Sequence, residues 1–250
     1  MSREPKWLVR WPRSDDPAVR LICFGHAGAG ASAYRAWSEV APPAIEVCAV
    51  RLPGRESRLR EPAFDDVHEL VPAALPWLAE GLEPPFALFG HCSGALVAFE
   101  LARELRRRAG PQPLVLIAAD QVAPSLQASV GRDRGLDVRE RVTRLGGTSD
   151  TILENDTLFA KLVPTLVADF RLADEYEYRP EPPLESPIVV VPAAGEGSDD
   201  NPGIHEWARE TEAGLEVRRL AADHFFRDEA WLDLARTVVG EIERHVGAIA

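Results

Sequence analysis

A chain of 250 residues, 46% of them hydrophobic, carries enough apolar material to fill one large core, and a single domain over 1–250 is expected. Twenty-eight Lys and Arg against 40 Asp and Glu leave a net charge of −12, whose field repels nucleic acid and anionic membranes, so neither is an expected partner. Three cysteines, Cys23, Cys48 and Cys92, are too few and too scattered for a disulfide framework or a CxxC metal site, and no metal is expected.

The opening "MSREPKWLVRWPRSDDPAVR" lacks the apolar core of a secretion signal, and no later stretch is apolar for long enough to span a membrane. A cytoplasmic monomer is the expected form. The first buried-strand pattern is "RLICF" (20–24), a short branched run without strict alternation, as in strands covered on both faces. It runs into "FGHAGAGAS" (24–32), a Gly- and Ala-rich turn entering a helix. That turn reads either as a simple closure with His26 as a polar turn residue, or as the loop that supplies the Ala27 backbone N–H to an oxyanion hole. A dinucleotide site is disfavoured, because "GHAGAG" does not match G-x-G-x-x-G and no acidic residue ends the second strand pattern, "IEVCAV" (45–50). After that strand, "RLPGRESRLR" (51–60) places Arg51, Arg55, Arg58 and Arg60 at the carboxyl edge of the sheet, where open α/β sheets bind ligands. Glu56 and Glu61 are available there as ion-pair partners.

The third strand pattern, "FALF" (86–89), runs directly into "GHCSG" (90–94) and then a helical pattern over 94–109 whose apolar stripe holds Ala95, Ala98, Leu101, Ala102 and Leu105. Strand, G-x-x-x-G turn and helix in that order form a nucleophile elbow, with the reactive residue at the strained apex and glycines where side chains would strike neighbouring strands. The apex is Cys92 rather than Ser93, and Ser93 becomes the second backbone donor of the oxyanion hole. A helix N-terminus and a nearby imidazole are surroundings that favour a reactive thiolate. Cys23 and Cys48 fall inside strand patterns and read as core cysteines.

A fourth strand pattern, "LVLIAA" (114–119), precedes a long stretch without a convincing strand. Residues 121–180 are expected to form a helical cap, with "TLFAKLVPTLVADFRLADEYEY" (157–178) as helix. The Pro-rich "YRPEPPLESP" (178–187) returns the chain to "PIVVV" (187–191), and "LEVRRL" (215–220) is the last strand pattern. Alternating strands and helices predict an α/β fold, a mostly parallel sheet wrapped by helices. The nucleophile needs a base and the base an orienting acid, in the chain order nucleophile, acid, histidine. Of six histidines only His224 lies just after the last strand pattern, in "LAADHFFRDEAWLDL"; His68, His205 and His245 fall among charges on helical patterns, and His91 reads as packing. "PAAGEGSDDNPG" (192–203) offers Glu196, Asp199 and Asp200 as acids, and charge pattern does not choose among them.

Taken together, "LICFGHAGAGASAYRAW", "VRLPGRESRLREPAFDDVHEL", "PFALFGHCSGALVAFELAREL", "RLGGT", "LVADFRLADEYEY" and "DHFF" resemble the type II (external) thioesterases of nonribosomal peptide and polyketide assembly lines. The resemblance covers nearly the whole chain. It implies the α/β-hydrolase fold with a mobile helical cap, hydrolysis of acyl groups from the phosphopantetheine of an acyl or peptidyl carrier protein, and no cofactor. Family spacing places the acid at Glu196, with Asp199 and Asp200 as alternatives. Carriers in such systems are acidic, so Arg51, Arg55, Arg58 and Arg60 are expected to supply local positive charge for docking. Family members mostly carry serine at the elbow, and the cysteine changes the energetics. An acyl-cysteine is itself a thioester, nearly isoenergetic with the carrier's, so it stays a good donor to amines, alcohols and thiols. Acyl transfer is therefore a rival expectation to hydrolysis, and a non-catalytic carrier-binding module is a second.

Overall fold

The computed structural model describes residues 7–83, 85–129, 135–193 and 202–247. Among the described residues seven strands form one sheet: β1 (Leu8–Trp11), β2 (Val19–Phe24), β3 (Ile45–Val50), β4 (Phe86–His91), β5 (Leu116–Ala119), β6 (Ile188–Val191) and β7 (Leu215–Val217). Their order is β1-β3-β2-β4-β5-β6-β7, with β1 antiparallel to β3 and every other pair parallel. The helices are α1 (Trp37–Val40), α2 (Val67–Leu78), α3 (Ser93–Arg107), α4 (Val138–Leu145), α5 (Asp150–Leu153), α6 (Asp156–Asp174), α7 (Pro202–His205) and α8 (Glu229–Gly247).

The missing alternation in the strand patterns has a direct cause. Phe86 and Leu88 of β4 enter a core shared with α2 and α3, whereas Ala87 and Phe89 enter one shared with α8, so both faces are covered. Each fully buried Leu, Ile, Val or Phe contributes about 1.5–3 kcal/mol relative to exposure. Cys23 and Cys48 are buried within these layers, and burial lifts the Cys23 thiol well above its usual range and the Cys48 thiol up to about 12. Both are inert core residues, as their strand positions suggest.

Strand β1 escaped sequence reading. It is four half-buried residues on the sheet edge, anchored where the Arg10 guanidinium donates from Nε and Nη2 to the buried Glu46 carboxylate at 2.9 Å each. Between β5 and β6 the chain leaves the sheet to form α4, α5 and α6, within the segment 121–180. Asn155 caps α6, its side chain accepting from the Leu158 N–H at 3.0 Å, and Gly146 closes α4 in the left-handed conformation at φ +79°.

Candidate active site

A strained turn follows β4. Cys92 has φ +53° and ψ −126°, a conformation costing about 1–3 kcal/mol that persists only where its surroundings enforce it. Its N–H donates to the Ala119 carbonyl of β5 at 2.9 Å and its carbonyl accepts from the Ala95 N–H at 2.8 Å, which fixes the apex between strand and helix. A Cβ on Gly90 would lie 2.4 Å from the Ala95 Cα and the Gly94 carbonyl, and one on Gly94 2.4 Å from the Phe24 carbonyl of β2. The flanking glycines are therefore required by backbone approaching backbone. Unlike the two core cysteines, Cys92 is partly exposed.

His224 comes from the loop between β7 and α8, and its ring lies within hydrogen-bonding reach of Cys92. Its Nδ1 is hydrogen-bonded to Oδ2 of Asp120, the residue that follows β5. Asp120 itself takes a left-handed turn, φ +44°, and its other oxygen accepts from the Ala193 N–H at 3.0 Å, so both carboxylate oxygens are committed. The acid was expected after β6. Glu196, Asp199 and Asp200 lie outside the described residues, whereas the carboxylate that meets His224 sits one strand nearer the nucleophile, after β5. Adjacency explains it: β5 is the immediate neighbour of β4, so its carboxyl end lies beside Cys92. The available signal was the aspartate that follows a fully buried run in "LVLIAAD".

Three histidines crowd this corner and their charges are driven apart. Burial holds His91 well below the ordinary imidazole range and pushes His26 down to about 4, so both are neutral. His91 donates from Nε2 to the His224 carbonyl at 2.7 Å, which leaves its buried Nδ1 without a partner. For His224, burial disfavours the imidazolium, but the hydrogen bonds to Asp120 and Cys92 outweigh it and lift the ring from 6.5 to about 10. A raised value means the charged ring supports the fold fully below pH 6.5 and loses that contribution as pH climbs through about 10. A ring titration followed by NMR is expected to show His224 protonated through neutral pH and its midpoint falling in Asp120→Asn. A wild-type midpoint near 6.5 would contradict the Asp120–His224–Cys92 arrangement.

Cys92, His224 and Asp120 line one cavity of about 450 Å³, together with Ala27 and Ser93. Its far wall is the β5–β6 insertion, including Leu145, Leu166 and Phe170. Gly147 lets the insertion close on the histidine loop, since a Cβ there would lie 2.4 Å from the Phe225 ring.

A model of the thioesterase domain family matches residues 19–245. The chain belongs to the thioesterase domain family. It is thus a thioester hydrolase by family, and its curated relatives include the thioesterase PikA5 of Streptomyces venezuelae, 35% identical over 93% of this chain and 84% of that protein. Another is the gramicidin S biosynthesis protein GrsT of Aneurinibacillus migulanus, 31% identical over 92% and 91%. Among solved structures, the type II thioesterase BorB from the borrelidin biosynthetic cluster superposes with a TM-score of 0.81 at 30% identity, covering 98% of this chain and 99% of that one. RedJ, a thioesterase from the prodiginine biosynthetic pathway of Streptomyces coelicolor, gives 0.81 at 33% identity over 90% and 86%. The fold is that of the α/β-hydrolases.

In this thioesterase the arginines after β3 do not form the surface patch expected of them. Arg55 is 7% exposed and Arg58 4%. Arg58 lies over the Trp7 ring at 4.0 Å, pairs with Glu61 and donates to the Arg51 carbonyl at 2.9 Å. Arg51 pairs with Glu56 at 2.7 Å, and Arg55 pairs with Asp169 of α6 at 2.7 Å. Only Arg60 of the four is exposed. Local and distant features combine: the chain turns back through Pro53 and Gly54, the latter at φ +83°, Glu56 and Glu61 pair with Arg51 and Arg58 within the loop, and Asp169 of α6 pairs with Arg55. Arg55 and Arg58 are thus buried within the chain rather than presented on the surface patch expected for docking.

Proposed function

We propose that this chain is a type II thioesterase that removes acyl groups from the phosphopantetheine thiol of a carrier protein, through an acyl-Cys92 intermediate. The observation that carries the reading is the convergence of Cys92, His224 and Asp120 in the one cavity that also receives Ala27 and Ser93. The names of RedJ, BorB and GrsT, each tied to a biosynthetic pathway, support the substrate class.

The Cys92 sulfur attacks the thioester carbonyl while the C=O electrons move onto oxygen. That oxyanion is received by the Ala27 and Ser93 N–H groups. As it collapses, the C–S bond to pantetheine breaks and the His224 imidazolium gives its proton to the departing thiolate. Neutral His224, oriented by Asp120, then takes a proton from water, whose oxygen attacks the acyl-cysteine. A second collapse releases the carboxylic acid and restores the cysteine–histidine pair. No step calls on a cofactor.

The cysteine itself favours a second reading, acyl transfer. An acyl-Cys92 preserves thioester energy that an acyl-serine would lose, so an amine, alcohol or thiol entering the cavity competes with water. Incubation with an acyl-loaded carrier, followed by intact-mass analysis of carrier and products, separates the two. Free acid and unloaded carrier without any acceptor are expected for the hydrolase. Turnover that appears only when an acceptor is added would replace hydrolysis with transfer.

A further inference from the structure

Asp169 belongs to α6 in the β5–β6 insertion, yet it is 4% exposed and reaches across to the loop after β2. Its Oδ2 accepts from the Gly28 backbone N–H at 2.7 Å, and its Oδ1 from the Arg55 guanidinium at 2.7 Å. Arg55 in turn donates to the Ala29 carbonyl at 3.0 Å. The peptide unit joining Ala27 to Gly28 is thus held at both ends, because its carbonyl accepts from Nδ1 of the His26 ring at 2.9 Å while its N–H is held by Asp169. The preceding peptide, which carries the Ala27 N–H, is held through its own carbonyl, where His26 accepts from the Ala29 N–H at 2.9 Å, so both planar units flanking Ala27 are fixed. The loop also lies directly against α6: Gly28 has φ +80°, and a Cβ there would come within 2.9 Å of the Leu166 side chain.

We propose that Asp169, held by Arg55, is a positioning residue that aims the Ala27 N–H at the developing oxyanion, so that seating α6 on the loop completes the oxyanion hole. This rests on the reading above, in which Cys92 is the nucleophile and Ala27 a donor. A purely structural account of the pair is weak. Two apolar side chains would fill the same buried space, often with no loss of stability. What they would not do is accept the Gly28 N–H.

The chemistry offers a test specific to the oxyanion. Attack on a thioester develops negative charge on oxygen, whereas alkylation of Cys92 by iodoacetamide displaces iodide at a saturated carbon and develops no oxyanion. The paired variant Asp169→Leu with Arg55→Met removes the acceptor and both charges together. Its kcat on a short acyl-N-acetylcysteamine thioester is expected to fall on the order of 10- to 100-fold, with KM within about twofold of wild type. Its Cys92 alkylation rate is expected to stay within about twofold, since the cysteine–histidine pair is untouched. The neutral pair Asp169→Asn with Arg55→Gln keeps an oxygen for the Gly28 N–H and is expected to recover most of the lost kcat. The proposal is overturned if kcat is unchanged in the apolar pair, if kcat and alkylation fall together, or if KM alone rises. Failure of the underlying reading looks different, as fully alkylated wild-type enzyme would then still turn over.

Discussion

Asp120→Asn is expected to lower kcat on the order of 10⁴-fold with little change in KM, measured on an acyl-N-acetylcysteamine thioester. The geometry gives the reason. The Ala193 N–H donates to one Asp120 oxygen and would claim the single oxygen of an asparagine. The amide NH₂ would then face Nδ1 of His224. A donor at that position forces Nδ1 to accept, which moves the ring proton to Nε2, against Cys92, where a base is needed. The fold has no cause to fail, since the side chain keeps its shape. Glu196→Gln, Asp199→Asn and Asp200→Asn are expected to cost far less. A loss at any of them equal to that of Asp120→Asn would return the acid to the loop after β6.

The second large effect concerns the elbow glycines. In Gly94→Ala the new methyl would lie 2.4 Å from the Phe24 carbonyl and 2.6 Å from that of Gly25, both main-chain atoms that no rotamer change can move. The expected destabilisation is about 3 kcal/mol or more, read from the midpoint of chemical denaturation. Activity should fall further than stability, because the displaced carbonyls lead into the loop that carries Ala27. Gly240→Ala is the control. That glycine lies in α8 with nothing within 4 Å of its absent Cβ, so alanine should stabilise the chain by about 0.5–1 kcal/mol. Equal behaviour of the two variants would mean that β2 and β4 yield at the elbow far more easily than their close approach implies.

The elements legible in sequence share a physical feature. Strands β2 to β6 are covered on both faces and announce themselves as apolar runs, and the elbow is marked by two glycines whose need is steric and local. His224 was found because it follows the last strand and precedes aromatic residues that do pack against it: Phe225 stands edge-on to its ring at 4.9 Å. Asp120 was not found: its neighbours do mark the end of a buried strand, but the left-handed backbone turn and the adjacency of β5 to β4 that bring it to His224 are not written there. The arginines after β3 failed for a related reason. A run of guanidinium groups reads as a solvated patch, and the partner that buries Arg55 lies 114 residues away on α6. Strand β1 is short, half-buried and at the sheet edge, so it lacks the pattern that exposed the others.

The central claim is that the acyl group passes through Cys92. Its most direct test is peptide mapping of the enzyme quenched in acid during turnover of an acyl-loaded carrier, with Asp120→Asn used to slow release of the intermediate. Acyl mass on the peptide containing Cys92, labile to neutral hydroxylamine as a thioester is, is the predicted result. Label on Ser93, Cys23 or Cys48, or complete turnover by a Cys92→Ala variant, would contradict it.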